Sequence, residues 1–244
     1  LDLLRYKIII QYDGTSFNGW QIQKGHQTIQ GEIEKALKNF MSKEIVVYGS
    51  GRTDSGVHAL GQVAHFDLSK KIDPNILLSA INANLNHCIR IIKCELVDSD
   101  FHARFSAKKR HYYYRVRTDP FLLDHHYTHH ISNIDIELLN NASKLIIGQH
   151  DFTSFSKHNE KIENRKCIIY ESIWKESKSI LNYHIVGNRF LHHMVRYLVG
   201  TMLEIGKNKY SLNEFKNLLI EPRKRVKIYK APAKALVLKQ VDYE

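Results

Sequence analysis

The chain has 244 residues, a length typical of one large domain or two modest ones, and 43% of them are hydrophobic, enough for a core. Four prolines and twelve glycines exclude a collagen-like or low-complexity protein. Lysine and arginine number 36 against 25 acidic residues, so the formal net charge is +11. That excess favours a polyanionic partner such as nucleic acid, and the alternative interpretation is that it only keeps the protein soluble.

The cysteines and the start of the chain indicate a cytoplasmic protein. Cys88, Cys94 and Cys167 fit neither a disulfide framework nor a CxxC zinc site, so we expect reduced thiols. Residues 1–11 are too short and too charged for a signal peptide or a membrane span. We expect no association with a membrane.

The first half of the chain alternates strand and helix patterns. Thr28 is a candidate helix cap, since apolar residues from Ile29 to Phe40 recur on one face after it. Strands are predicted at 5–12, 45–48, 62–68 and 88–97, and helices at 28–41 and 74–85.

The second half follows a linker-like crossing at 101–107. Strands are predicted at 108–117 and 236–243, a hairpin at 165–175 and 180–187, and helices at 135–147, 190–205 and 212–220. Strands outnumber crossover helices, so a purely parallel sheet is excluded. The sequence predicts an α+β fold in two lobes, 1–105 and 106–244, with a mostly antiparallel central sheet flanked by helices.

One loop carries the strongest chemical signal. Residues 49–59, GSGRTDSGVHA, follow a predicted strand, and glycines on both sides of Asp54 allow close approach of a ligand. No Gly-Lys-Ser/Thr follows, so this is not a phosphate-binding P-loop, and no helix pattern opens after it as in a dinucleotide-binding fingerprint. By composition Asp54 is a nucleophile, a base or a turn-forming residue.

The loop and a series of further motifs resemble the tRNA pseudouridine synthase A family. Any one of these motifs is weak, but they occur in family order over essentially the whole chain. They are YDGTSFNGWQ at 12–21, TIQG at 28–31, EKAL at 34–37, GRTDSGVHA at 51–59, NANL at 82–85, DFHARFSA at 100–107, DFTSF at 151–155 and FLHHMVR at 190–196.

The resemblance implies a two-lobed pseudouridine-synthase-like fold with an active-site cleft between the lobes. It implies isomerisation of uridine to pseudouridine at positions 38, 39 and 40 of the tRNA anticodon stem-loop, acting on a flipped uridine. Asp54 is then the essential catalytic carboxylate and nucleophile. The family works as homodimers without a metal or other cofactor.

Four residues are expected to bind the substrate, and the resemblance assigns three of them, Tyr112, Arg196 and Leu236. Tyr112 corresponds to an active-site tyrosine that can stack on uracil, with Tyr114 in the neighbouring wall, whereas the residues alone favour a packed strand face for both. Arg196 corresponds to a basic residue that we expect opposite Asp54. Arg52 either binds a phosphate, fills the space left by the flipped base or is a surface residue of a turn, and Leu236 lines the pocket.

One position departs from the family pattern. Family members carry glycine before the leucine of the last strand, and this chain has Ala235. If that position needs a positive φ, alanine costs about 1 kcal/mol there.

Two clusters of basic residues are expected to hold the RNA backbone and to make binding sensitive to salt. Their alternative role is an ordinary solvated face. The clusters are Lys108, Lys109 and Arg110, and Arg223, Lys224 and Arg225.

Two other functions stay open at this stage. His125-His126 and His129-His130 have an i, i+4 spacing that binds metal on a helix, as in a metal-dependent RNA hydrolase, but no HExxH motif is present. A non-catalytic tRNA-binding module is the other alternative, and it has no need for Asp54.

Overall fold

The computed structural model describes residues 3–120, 122–160 and 162–244, and these ranges form ten strands, five α-helices and a short 3₁₀ helix. In chain order the elements are β1 (Leu4–Tyr12), α1 (Ile29–Met41), β2 (Tyr48–Gly49), β3 (His58–Leu68), α2 (Pro74–Asn84), β4 (Ile89–Val97), β5 (Lys109–Arg117), β6 (His129–His130), α3 (Ile136–Leu145), β7 (Gly148–Asp151), β8 (Lys166–Ser177), β9 (Ile180–Gly187), α4 (Met194–Gly206), α5 (Leu212–Ile220), the 3₁₀ helix (Ala233–Ala235) and β10 (Leu236–Asp242). The predicted α+β class is confirmed.

The chain divides into two compact units. The first comprises Leu1–Lys108 and Val237–Glu244, and the second comprises Lys109–Leu236. The predicted lobes, 1–105 and 106–244, place the end of the chain in the second lobe. The structure groups it with the first, because β10 pairs in parallel with β3 through Val237 and Leu238.

The first unit contains a mostly antiparallel sheet. β1 pairs in antiparallel fashion with both β3 and β4, and β2 pairs in antiparallel fashion with β3. The parallel β10 pairs only with the start of β3, at His58 and Ala59. These two residues directly follow the loop that carries Asp54. The pairing of β3 with β1 and β10 therefore fixes the point at which that loop ends.

Both helices of the first unit begin as the sequence predicts. Thr28 caps α1 by accepting a hydrogen bond from the Gly31 amide, and Asp73 caps α2 ahead of Pro74. The apolar face of α1 is buried except for Phe40 at its exposed last turn.

The predicted strand at 45–48 is wrong over most of its length, since only Tyr48 and Gly49 are paired as β2. Side chains of α1 take the place of a neighbouring strand. The Val47 amide donates to Glu34 Oε1 at 3.0 Å, and Gln30 Nε2 donates to the Val47 carbonyl at 3.1 Å. The backbone polar groups of Val47 are thereby satisfied without a ladder.

The second unit has its own sheet and core. β9 lies between β5 and β8, and β7 continues on the far side of β8, all antiparallel, while the short β6 runs parallel to β5. Tyr114, Trp174 and Tyr183 lie on one face of these strands and are buried. Helix α3 packs against α4, α5 and β8, so it covers this core from outside.

The helix predicted at 190–205 begins four residues later in the structure than the sequence predicts. Residues 190–193 are not helical, and α4 starts at Met194 after His193, whose φ is +64°. A left-handed residue cannot extend a right-handed helix, so this backbone conformation sets the start of α4.

Among the helices of the described ranges, none has the length and apolarity required to cross a bilayer.

A buried imidazole in the first unit links folding to pH. His65 on β3 is 1% exposed, and its Nδ1 accepts a hydrogen bond from the Ala103 amide at 3.2 Å. Burial, with a further contribution from the charge of Arg5, lowers the pKa of His65 to about 4. His65 therefore stays neutral in the folded protein at a pH where an ordinary histidine is protonated.

We predict that the free energy of unfolding decreases as pH falls from about 6.5 to about 4. In this range His65 is protonated in the unfolded chain but stays neutral in the folded chain, so protonation stabilises the unfolded state. His65→Gln keeps an acceptor but does not titrate, so it should reduce this decrease by an amount on the order of 2 kcal/mol. Urea unfolding of both proteins at pH 7.5 and pH 4.5 measures the difference. An equal decrease in the two proteins would contradict the assignment.

Candidate active site

Asp54 lies in the first unit, on the loop between β2 and β3, and is half-buried. Its neighbour Thr53 is buried, and Arg52 and Ser55 are exposed. The loop thus alternates between residues that anchor it and residues that face solvent, and Asp54 lies at the transition.

Residues 12–20 hold this loop through a set of hydrogen bonds. The Trp20 amide donates to the Thr53 carbonyl at 3.1 Å, and the Gly56 amide donates to the Phe17 carbonyl at 3.3 Å. The Ser55 hydroxyl donates to the same Phe17 carbonyl at 3.1 Å. The bonds lie on both sides of Asp54, so they fix the backbone that carries its carboxylate.

Side chains add two further contacts between the same segments. The hydroxyls of Tyr12 and Thr53 are 2.8 Å apart and both are buried. The Gly14 amide donates to Nδ1 of His58 at 3.1 Å, and the His58 ring is buried as well. The YDG motif at 12–14 and the GRTDSGVHA motif at 51–59, whose contacting residues are 41 and 44 positions apart in the sequence, are therefore joined in the fold.

Two glycines make this approach possible. Gly19 has φ +82°, and a Cβ built on it would lie 2.5 Å from the Thr53 carbonyl oxygen. A Cβ on Gly14 would overlap the Val57 carbonyl oxygen. Any larger residue at either position would push residues 12–20 away from the loop.

The start of the loop is held from the β3 side. The Ser50 hydroxyl donates to Gln62 Oε1 at 2.7 Å, and Gln62 Nε2 donates to the Gly51 carbonyl at 3.0 Å. Both side chains are buried. Sequence analysis did not single out Phe17, Ser50 or Gln62, although the YDG and GWQ motifs already mark the segment to which Phe17 belongs.

In the second unit, Tyr112 and Tyr114 of β5 have different environments. The ring of Tyr112 is half-buried and meets Phe190 edge-on, with centroids 5.3 Å apart and planes at 88°. Tyr114 is fully buried, and its hydroxyl lies 3.1 Å from His129 Nδ1. Burial raises the pKa of Tyr114, so its hydroxyl stays neutral, and of these two rings only that of Tyr112 is partly exposed.

Arg196 lies in the first turn of α4 in an electrostatically unfavourable place. The helix dipole concentrates positive charge at the N-terminus, so a cation there destabilises the helix. Arg196 is half-buried, and its Nε donates to the Ala231 carbonyl at 2.8 Å while the Ala231 amide donates back to the Arg196 carbonyl at 2.9 Å. Ala231 therefore holds both the side chain and the backbone of Arg196 in place.

The residue ahead of α4 is strained. His193 has a left-handed backbone, and its side chain does not cap the helix. Non-glycine residues adopt this conformation rarely, and such residues cluster at functional sites. The sequence offered no signal for this strain, because nothing in the HHMVR run marks one histidine as left-handed.

Leu236 is buried at the start of β10, directly after Ala235. Ala235 ends the 3₁₀ helix Ala233–Ala235 and does not have a positive φ. The cost expected for alanine in place of glycine, which depended on a positive φ at this position, is therefore absent. Of the predicted site residues, Asp54 and Arg52 belong to the first unit and Tyr112, Arg196 and Leu236 to the second.

Comparison with known proteins gives the same assignment as the motifs. The profile of the family described as tRNA pseudouridine synthase matches residues 8–106 and 142–244. The chain belongs to the tRNA pseudouridine synthase family. It is therefore a member of an isomerase family.

Curated relatives match over their whole lengths. The tRNA pseudouridine synthase A of Ehrlichia chaffeensis is 44% identical over 246 residues, which cover 98% of this chain and 100% of that protein. The proteins of the same name from Latilactobacillus sakei and Bacillus subtilis are 41% and 42% identical, covering 98% and 99% of this chain and 99% and 100% of the relatives. A solved crystal structure of a Cbf5-Nop10-Gar1 complex aligns at 9% identity with a TM-score of 0.38, over 95% of this chain and 57% of that chain.

The predicted RNA-binding residues of this synthase-family chain are mostly exposed. Lys108 and Lys109 are exposed, and the Lys109 ammonium lies 5.3 Å from the centroid of the Tyr170 ring. Arg110 differs, since its Nη1 donates to the Asn188 carbonyl at 2.6 Å. The second cluster, Arg223, Lys224 and Arg225, is exposed throughout, and Arg223 pairs with Glu221 at 2.6 Å.

The histidine cluster does not form the helix that a metal site would need. Residues 123–127 form a turn, and His129 and His130 form β6, so the i, i+4 spacing does not place His125 and His129 on one helix face. The His129 ring is instead packed against Tyr114, and burial lowers its pKa to about 4.

Gly19→Ala tests the contact between residues 12–20 and the loop. The new Cβ would meet the Thr53 carbonyl, so we expect a loss of at least about 2 kcal/mol in the free energy of unfolding and faster hydrogen exchange at the Trp20 and Gly56 amides.

Gly25→Ala is the matched control. Gly25 also has a positive φ, +77°, but a Cβ there would have no atom within 4 Å. It should cost only the conformational strain of about 1 kcal/mol and leave both amides protected. Equal effects of the two substitutions would show that the contact contributes nothing beyond the φ preference.

Proposed function

We propose that this chain isomerises uridine to pseudouridine at positions 38, 39 and 40 of the tRNA anticodon stem-loop, with Asp54 as the catalytic nucleophile. The observation that carries the proposal is the fixed backbone on both sides of Asp54, in the motif that resembles the family's active-site signature. A turn-forming aspartate has no need for a second segment to hold it in this way.

The reaction balances with the protein and tRNA alone. The bond from N1 of uracil to C1′ of the ribose breaks, and a bond from C5 to C1′ forms. The hydrogen on C5 leaves as a proton, and N1 gains one, so there is no net oxidation and no net use of water. A carboxylate that adds to the sugar or to the uracil ring, or that drives a glycal route, serves this exchange as a nucleophile or base.

The base must leave its stack for these bonds to be reached. We assign Tyr112 to stack on the flipped uracil, since its ring is half-buried and already oriented by Phe190. Leu236 supplies an apolar wall, and Arg196 supplies the positive charge that a reacting anion requires, which explains a cation at a helix N-terminus. Arg52, exposed beside Asp54, binds a backbone phosphate or fills the space that the base leaves.

The exposed basic residues are proposed to hold the tRNA backbone. Five of the predicted basic residues are exposed to solvent: Lys108, Lys109, Arg223, Lys224 and Arg225. The net charge of the chain, +11, is also positive. We further propose that the enzyme is a cytoplasmic homodimer, as the resemblance implies. Light scattering of the purified chain would give about twice 28.5 kDa.

Tritium release tests the reaction and its carboxylate. With tRNA labelled at C5 of uracil, wild type should release tritium, because bond formation at C5 expels that hydrogen. Asp54→Asn keeps the size of the side chain but removes its charge, so the rate should fall at least ~10³-fold with the dissociation constant for tRNA unchanged within about threefold.

Each alternative function has its own outcome in this assay. Tight binding of tRNA without tritium release by wild type would favour a non-catalytic binding module. Cleaved tRNA that is sensitive to a chelator would favour a metal-dependent hydrolase. Release by Asp54→Asn at the wild-type rate would show that another residue is the nucleophile.

A further inference from the structure

A tight turn at residues 101–106, which we name the aromatic turn, is built by its own side chains. His102 Nδ1 accepts hydrogen bonds from the amides of Arg104 and Phe105 at 3.1 and 3.3 Å. The Ser106 hydroxyl accepts from the His102 amide at 2.9 Å, and the Ser106 amide donates to the His102 carbonyl at 2.9 Å. The sequence predicted a linker-like crossing here, within the DFHARFSA motif, and four hydrogen bonds fix its shape.

The aromatic turn is also fastened to the sheet of the first unit. The Ala103 amide donates to buried His65, and the Ala103 carbonyl accepts from the Tyr243 hydroxyl at 2.7 Å. Arg5 Nη1 donates to the Phe101 carbonyl at 2.8 Å. Burial lowers the pKa of His65 to about 4 and also lowers the pKa of His102, so both rings stay neutral acceptors at neutral pH.

This rigid turn presents an aromatic side chain to solvent. Phe105 is 75% exposed, although phenylalanine is among the residues most often buried. The Phe105 ring contacts the His102 ring, with centroids 4.4 Å apart. In turn, the centroid of the His102 ring lies 6.1 Å from the centroid of the ring of Tyr48, which is 49% exposed. None of the hydrogen bonds that build the turn uses the Phe105 side chain, so its ring is not required for the fold.

A cation accompanies the exposed ring. Arg104 is exposed, and its guanidinium carbon lies 5.5 Å from the centroid of Phe105. Lys108 follows four residues later and is also exposed. A flat ring next to a guanidinium matches a nucleotide, because the ring can stack on the base and the cation can bind its phosphate.

We propose that the aromatic turn is a second RNA-binding site, in which Phe105 stacks on an unpaired base of the tRNA and Arg104 binds the adjacent phosphate. The proposal rests on the proposed function, since tRNA is taken as the substrate. It concerns a site other than the uracil pocket, so it predicts an effect on tRNA binding and none on the chemical step.

Three substitutions at Phe105 separate stacking from hydrophobic contact. Phe105→Ala should raise the dissociation constant and KM for tRNA about tenfold, with kcat unchanged, because a stacked base is lost. Phe105→Leu keeps an exposed apolar group without a π-face and should lose most of the affinity as well. Phe105→Trp should restore it.

Arg104→Gln tests the phosphate contact. It should weaken binding and reduce the slope of the logarithm of affinity against the logarithm of salt concentration by about 0.7, whereas Phe105→Ala should leave that slope unchanged. Ile76→Ala, which truncates an exposed apolar side chain on α2 of the same unit, is the matched control and should change neither affinity nor slope.

The outcomes distinguish this proposal from the proposed function. Normal tritium release with unchanged affinity and KM in Phe105→Ala would overturn the site and leave the enzyme assignment intact. Absence of tritium release by wild type would overturn the enzyme assignment, while the binding series would still decide the site. A smaller particle mass for Phe105→Ala in light scattering, with unchanged affinity per chain, would assign Phe105 to contact with a second copy and overturn the proposal.

Discussion

The close contact between residues 12–20 and the loop at 53–57 is the constraint on which the position of Asp54 depends. It is made largely from backbone to backbone, through the Trp20 amide and the Phe17 carbonyl. Such a contact leaves no space for side chains, so it needs Gly14 and Gly19. The loop itself has little regular structure, and the neighbouring segment takes over the role that a strand or helix would otherwise have.

Much of the fold could be predicted because its signals are local. Thr28 caps α1 as predicted, and the structure adds two local caps that the sequence analysis did not name, Asp73 on α2 and Ser211, which forms a full capping box with Glu214 on α5. The hairpin of β8 and β9 also forms as predicted. In each case the pattern and the structure depend on residues within one turn or one hairpin of each other.

The errors arise where distant residues decide the local structure. Val47 is satisfied by side chains of α1, so an apolar run that is typical of a strand is not one. The start of α4 depends on the left-handed His193, which periodicity cannot detect. The aromatic turn at 101–106 was predicted as a linker, and although its internal hydrogen bonds are local, it is fastened to the sheet by His65 and Tyr243, which are far away in the sequence.

The candidate site shows the same division. Family resemblance supplied Asp54, Tyr112 and Arg196 from sequence, but composition alone left Asp54 as one turn-forming residue among several possibilities. Ser50 and Gln62, which hold the start of the loop from β3, carry no recognisable chemistry and become visible only in the structure. They hold the loop that carries Asp54 through buried hydrogen bonds, and the sequence does not show which residues are buried.

The most direct measurement is to map pseudouridine by mass spectrometry in an unmodified tRNA transcript treated with wild type, Asp54→Asn, Gly19→Ala or Gly25→Ala. The account predicts pseudouridine at positions 38, 39 and 40 with wild type and Gly25→Ala, much slower formation at the same positions with Gly19→Ala, and none with Asp54→Asn. Modification in another arm of the tRNA, or equal rates for the two glycine variants, would contradict it. The first result would remove the proposed substrate site, and the second would remove the held loop as the basis of catalysis.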